Sequence, residues 1–281
     1  MNTETFDKYV DQEFDRFLGD LVRLLEQPSI SATGEGVTDC VILLTELIHE
    51  YNFDKCEVIE TDGQPAIIAQ AFVGHDPLND CPTVLVYGHY DVQPVTPSNW
   101  TTPPFEPTFK EDDMGAKRLY ARGVGDNKGQ FFCHLCAVQT LFEQDRLPLN
   151  ITLLLEGEEE IGSPNLDKIV RENSDKLAAN IVFNADGPME QDDTPEINLG
   201  TRGLLYLDIT ANGPDNDLHS GNYGGPIPNP LWGMTHLLGS MKNTNGVVTI
   251  NGFYDNVRQP SEKELMLCSE IPYSDNELLL Q

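Results

Sequence analysis

Apolar residues recur every three or four positions across 6–26, at Phe14, Phe17, Leu18, Leu21, Leu24 and Leu25. That spacing predicts an amphipathic helix, with Pro28 as its stop. A second helix is predicted over 37–51, after the loop Gly34-Glu35-Gly36. The period then shortens. Residues 56–60 and 66–73 read as strands joined through a turn at Asp62-Gly63. Beyond them a strand at 83–87, a helix at 131–146, a strand at 151–155, a helix at 166–177 and a strand at 180–183 alternate. Such alternation predicts an α/β fold, layered α/β/α, with a mostly parallel central sheet. The Pro-rich stretch 93–107, with Trp100 and Phe105, reads as a packed surface loop. Around Gly200-Thr201-Arg202-Gly203 the character changes: 204–211 alternates like a strand of a second domain, and 231–241 reads as a helix. His236 on that helix reads as a packing or surface residue. The expected domains are therefore 1–200 and 201–281.

Composition narrows the function. The 281 residues suffice for one large or two modest domains. Acidic residues number 46 against 17 basic, a formal charge of −29. That balance argues against nucleic acid and against anionic membrane surfaces, both of which need basic patches. The excess is larger than a handful of metal ligands explains. Cys40, Cys56, Cys81, Cys133, Cys136 and Cys268 are scattered and do not form a disulfide framework pattern. Cys133 and Cys136 lie inside a predicted helix with no second pair, which reads as helix packing. The opening Met1-Asn2-Thr3-Glu4-Thr5 has no leader pattern, and no apolar run approaches the roughly 20 residues of a membrane span. A cytoplasmic location is expected.

Four stretches carry candidate chemistry. In Arg122-Gly123-Val124-Gly125-Asp126-Asn127-Lys128-Gly129-Gln130 a carboxylate sits on a glycine-rich turn just before a helix. Glycines let other groups come close, so both oxygens of Asp126 can serve one place, as a metal-bridging ligand requires. The strand at 83–87 runs into Gly88-His89-Tyr90-Asp91-Val92-Gln93-Pro94. His-x-Asp puts both side chains on one side of an extended segment, and a carboxylate can orient a zinc-binding imidazole from behind. The strand at 151–155 ends in Glu156-Gly157-Glu158-Glu159-Glu160-Ile161-Gly162-Ser163, where crowded carboxylates call for cations. Residues 180–183 lead into Asn184-Ala185-Asp186-Gly187-Pro188. Ligands gather at the carboxyl ends of strands in α/β sheets. Of the glutamates, Glu158, Glu159 and Glu160 are all eligible on these grounds.

Stretches 87–94, 121–130, 155–164 and 184–188, in this order and spacing, resemble the dinuclear-zinc metallopeptidase family of carnosinases, aminoacylases and acetylornithine deacetylases. The wording His-Tyr-Asp-Val-Gln-Pro is most similar to the carnosinase and nonspecific dipeptidase branch, as is Asp217-Leu218-His219-Ser220-Gly221-Asn222-Tyr223-Gly224-Gly225. The resemblance covers nearly the whole chain. It implies that His89 and Asp186 ligate one metal, that Asp126 bridges to a second, and that Glu160 ligates the second. It makes Asp91 the residue that orients His89, and Glu159 the general base: the Glu-Gly-x-Glu-Glu-x-Gly-Ser wording selects these two glutamates. It implies a cis peptide at Asp126–Asn127. It places His219 on a lid and dimerisation domain of four strands and two helices, reaching a partner's substrate carbonyl. The implied cofactors are two zinc ions, with manganese or cobalt also suited to such ligands. The implied activity is hydrolysis of small peptides bearing a free C-terminal carboxylate, by a homodimer formed through the lid. An N-acyl amino-acid deacylase and a non-catalytic subunit are the alternatives. By the same resemblance the chain reads as an N-terminal fragment, with a further metal-ligand histidine and a carboxylate-binding arginine expected in a return segment beyond residue 281.

Overall fold

The computed structural model describes residues 4–111, 115–187 and 203–270. The chain divides into two compact units, Met1–Gly200 and Thr201–Gln281. Residues 188–202 and 271–281 lie outside the described residues.

In the first unit the two periodic runs fold as α1 (Glu4–Glu26) and α2 (Val37–Glu50). Strands β1 (Lys55–Ile59), β2 (Ala66–Ala71) and β3 (Thr83–His89) come next. A small hairpin, β4 (Thr108–Glu111) with β5 (Lys117–Tyr120), precedes α3 (Lys128–Glu143). Then come β6 (Asn150–Glu156), α4 (Leu166–Glu172) and β7 (Ile181–Asn184). The large sheet has the order β1-β2-β6-β3-β7. β6, β3 and β7 are parallel, while β2 runs antiparallel to β6 and to β1. Four of the five strands therefore share one direction, as the alternation predicts.

Strand alternation sorts the side chains into two cores. Ile67, Ala69, Ala71, Val86, Leu153 and Leu155 face one side and pack with Leu24 of α1, Leu44 of α2 and Phe131 of α3. Their neighbours Ala66, Ile68, Leu85 and Leu154 face the other side and meet Ile169 of α4 and Leu177. The result is an α/β/α layering around the sheet. Each fully buried leucine contributes about 1.5–3 kcal/mol relative to exposure, so the larger core dominates the stability of this unit.

Several boundaries differ from the pattern, two of them for evident reasons. α3 starts three residues before 131, because the Asn127 carbonyl accepts the N–H groups of Gln130 and Phe131 at 3.1 Å each. α4 ends at Glu172, where the Asn173 side chain donates to the Ile169 carbonyl at 2.9 Å and competes with the helix backbone. The hairpin β4–β5 adds to the elements that the pattern predicts. Its signal was the alternation in Thr108-Phe109-Lys110-Glu111 and Lys117-Arg118-Leu119-Tyr120, reinforced by Lys117 Nζ 4.6 Å above the Phe109 ring.

The second unit holds α5 (Ser220–Tyr223), α6 (Pro230–Met241) and α7 (Glu262–Ser269). Asn229 caps α6, its side chain accepting the Leu231 N–H at 2.9 Å, and Pro230 occupies the first turn. Ser261 and Glu264 form a reciprocal cap on α7. The strand expected over 204–211 does not form. Among the described residues no segment pairs with it, and Leu204 and Tyr206 are 80% and 86% exposed. Alternation marks which side chains share a face, but a strand persists only where a neighbour takes its backbone hydrogen bonds. His236 lies in α6 with its ring 6.3 Å from that of Trp232, consistent with a packing or surface role.

Candidate metal centre

Parallel pairing aligns the carboxyl ends of β6, β3 and β7, so the residues that each strand carries past its end converge. His89 is the last residue of β3, opposite Glu156 of β6. Asp186 lies two residues past the end of β7. Asp126 arrives from the turn before α3, with a cis peptide at Asp126–Asn127. The imidazole Nε2 of the fully buried His89 lies 2.9 Å from Asp126 Oδ1 and 3.6 Å from Asp186 Oδ2. One ligand atom from each of these three residues falls within 4.8 Å of the others, a spacing that fits one cation. The opposite nitrogen, Nδ1, faces the backbone oxygen of Asp91 at 3.1 Å and its carboxylate at 3.3 Å, which leaves Nε2 free to ligate. The donor set, one imidazole and two carboxylates, is chemically suited to a divalent ion.

Asp91 does a second task. Its Oδ1 accepts the Glu159 N–H at 3.2 Å and its Oδ2 accepts the Glu160 N–H at 3.1 Å. The same buried carboxylate therefore sets both the imidazole and the glutamate turn. Glu159 Oε2 reaches to 4.0 Å from His89 Nε2. Glu160 comes to the same turn, but its carboxylate accepts the Gln93 side-chain amide at 2.8 Å and is not in the three-residue group. Glu158 turns away, onto Gln64 and Asn165. His219 belongs to the second unit, where its Nδ1 accepts the Gly221 N–H at 3.1 Å and caps α5.

The electrostatics reflect crowding. Burial alone would lower the His89 pKa, but the hydrogen bond and charge of Asp91, with Glu159 and Asp126, raise it to about 9. Burial raises the Glu159 carboxyl; His89 opposes that, while Glu160, Asp186 and Asp91 add to it. Burial likewise raises Asp186, with His89 opposing and Asp126 adding. This is a site whose negative charge calls for a cation.

Asn127 is the residue that sequence reasoning passed over. Its Oδ1 accepts the His89 N–H at 3.0 Å, and its Nδ2 donates to the Ala185 carbonyl at 2.9 Å and to Gln130 Oε1 at 2.6 Å. One buried amide thus joins the ends of β3 and β7 to the start of α3. Its position beside Asp126 was the only signal. Gly88 makes room for it: a Cβ there would lie 2.7 Å from Asn127 Oδ1 and 3.0 Å from Phe131 Cβ. We expect Gly88→Ala to lose about 1–3 kcal/mol by overpacking, read from the urea midpoint. Gly125→Ala, which opens onto free space, is the control; equal midpoints for the two would mean that the close approach of Gly88 to Asn127 carries no weight.

Comparison with known proteins yields three kinds of match. The model of peptidase family M20/M25/M40 matches residues 85–267. Cys-Gly metallodipeptidase dug1 of Schizosaccharomyces pombe is 29% identical, covering 99% of this chain and 60% of its own length. Beta-Ala-His dipeptidase of Mus musculus is 36% identical, covering 75% of this chain and 43% of its own. The crystal structure of an M20 family metallo-carboxypeptidase, Sso-CP2 from Sulfolobus solfataricus, superposes with a TM-score of 0.81 at 36% identity, covering 93% of this chain and 58% of that one. The chain thus spans less than two thirds of the length of each of these relatives. No helix among the described residues is long and apolar enough to cross a membrane.

Proposed function

The chain belongs to peptidase family M20/M25/M40, and from that membership we propose that it is a metal-dependent dipeptidase acting on small peptides with a free C-terminal carboxylate. The observation that carries the reading is the group His89, Asp126 and Asp186, gathered within 4.8 Å at the carboxyl ends of parallel strands. Residues 1–200 are the catalytic domain in this reading, and 201–281 belong to a lid through which a cytoplasmic homodimer forms.

His89, Asp126 and Asp186 would hold a first metal, and Glu160, with Asp126, would help to hold a second. Two zinc ions are the proposed cofactor, with manganese or cobalt as substitutes. Divalent ions bound there would supply Lewis acidity to the scissile carbonyl and lower the pKa of a water molecule. Asp91 holds the His89 ring with Nε2 outward. Glu159 takes a proton from the attacking water and passes it to the leaving amine. His219 contacts the substrate carbonyl from the partner's lid.

The likeness to Sso-CP2 favours a second reading, a carboxypeptidase that removes the last residue of longer peptides. Incubating the zinc-loaded protein at its full natural length with Cys-Gly, β-Ala-His, a free-ended pentapeptide and an N-acetyl amino acid separates these. Cleavage of the dipeptides is expected. Preference for the pentapeptide supports the carboxypeptidase, and preference for the N-acetyl compound the deacylase. Binding of two metals by that full-length protein with no cleavage of any of the four supports a non-catalytic subunit.

A further inference from the structure

Glu158 is an anomaly in the acidic run. The next two residues, Glu159 and Glu160, face the metal group or its rim, yet Glu158 is 4% exposed and points the other way. Oε1 accepts the backbone N–H of Gln64 at 3.0 Å, and Oε2 accepts the side-chain amide of Asn165 at 2.7 Å. Gln64 belongs to the turn between β1 and β2, and Asn165 immediately precedes α4. No Lys or Arg ion pair is seen for this carboxylate among the described residues; both oxygens rest on N–H donors alone. The turn is shaped to admit it, because a Cβ on Gly63 would lie 1.9 Å from Glu158 Oε1. The backbone of Glu158 also organises the turn after it. Its carbonyl accepts the N–H of Ile161 at 3.2 Å and of Ser163 at 2.8 Å. Ser163 in turn donates its hydroxyl to Glu156 at 2.9 Å, which closes the loop 156–163.

We infer that Glu158 is a positioning residue for the neighbouring Glu159. Its carboxylate fastens the loop to the 61–65 turn and to α4, so that the Glu159 and Glu160 N–H groups meet Asp91. The inference rests on the reading of Glu159 as the base. The fastening is by hydrogen bonds, not by charge. A glutamine in place of Glu158 reproduces it: its oxygen accepts from Gln64, and its amide donates to Asn165 once the Asn165 amide is flipped.

The test has two readouts. Amide hydrogen exchange across 156–163 reports positioning without any turnover. Glu158→Ala should speed exchange at Glu159 and Glu160, while Glu158→Gln keeps wild-type protection. With a substrate that the wild type cleaves, Glu158→Ala should lower kcat about tenfold with KM little changed, since misplacing a reacting group by a fraction of an ångström acts on the chemical step; Glu158→Gln should recover most of that loss. Gly63→Ala, which expels the carboxylate while leaving it in the chain, should reproduce Glu158→Ala, and it serves if the alanine variant does not fold. Unchanged exchange in both Glu158→Ala and Gly63→Ala overturns the inference. So does a glutamine variant as impaired as the alanine, which would make the charge the active property. A wild type that cleaves nothing but shows the expected exchange pattern sinks the proposed activity and leaves the fastening intact.

Discussion

Glu159→Gln should lower kcat by about 10²–10⁴-fold, the range a general acid–base group supplies, while divalent-ion affinity measured by calorimetry stays close to wild type. Glutamine keeps the shape of the side chain and its reach toward His89, where Glu159 Oε2 stands 4.0 Å from Nε2. It cannot take a proton. The backbone of residue 159 remains held by Asp91, so the loop should not move. Burial, aided by Glu160, Asp186 and Asp91 against His89, raises the Glu159 carboxyl above its ordinary value. The basic form is therefore lost at a higher pH than for an exposed glutamate, and the acidic limb of kcat/KM in the wild type should be shifted upward from that of an exposed glutamate. Glu160→Gln is the necessary partner experiment. It should weaken metal binding first and activity as a consequence. The reverse outcome, ions lost with Glu159→Gln and kept with Glu160→Gln, means that base and ligand have exchanged roles.

The convergence of His89, Asp126 and Asp186 was legible because each ends an apolar run or tight turn with a residue that binds metals, and parallel strands bring such ends together. The adjacent glutamates were not separable that way. Glu158, Glu159 and Glu160 are the same residue type in consecutive positions, and their directions depend on a 3-10 turn at Glu159–Ile161 that period counting does not resolve. Asn127 escaped notice for a related reason. Nothing in a lone asparagine announces an amide that serves three elements at once. The segment 204–211 failed in the opposite direction, since its alternation was real but no neighbouring strand meets it among the described residues. Pattern reports a residue's own preferences; pairing and side-chain direction belong to the partners.

The dependence on partners is sharpest at Asp91, where Asp91→Asn should weaken divalent-ion binding by about 10–100-fold, as loss of a group behind a ligating histidine does, and cost about 1–3 kcal/mol of stability for one unpaired buried donor. The substitution removes a charge and almost no volume, so packing is not at issue. Three N–H groups converge on this carboxylate: Glu159 and Oδ1 at 3.2 Å, Glu160 and Oδ2 at 3.1 Å, and His89 Nδ1 with Oδ1 at 3.3 Å. An ionised carboxylate accepts on both oxygens. An asparagine accepts on one and presents an N–H on the other, so at least one donor must face a donor in a place closed to water. If the amide oxygen stays with His89 and Glu159, the Glu160 N–H loses its partner, and with it the hold on the second metal's proposed ligand. If the amide turns over, the Glu159 N–H and His89 Nδ1 meet an N–H instead, and the ring keeps only the Asp91 backbone oxygen at 3.1 Å. The two cases separate experimentally: the first should weaken only the binding event that Glu160→Gln also weakens in a calorimetric titration, the second should weaken the other event as well. Wild-type affinity at both, with an unchanged unfolding midpoint, would reduce Asp91 to a spectator.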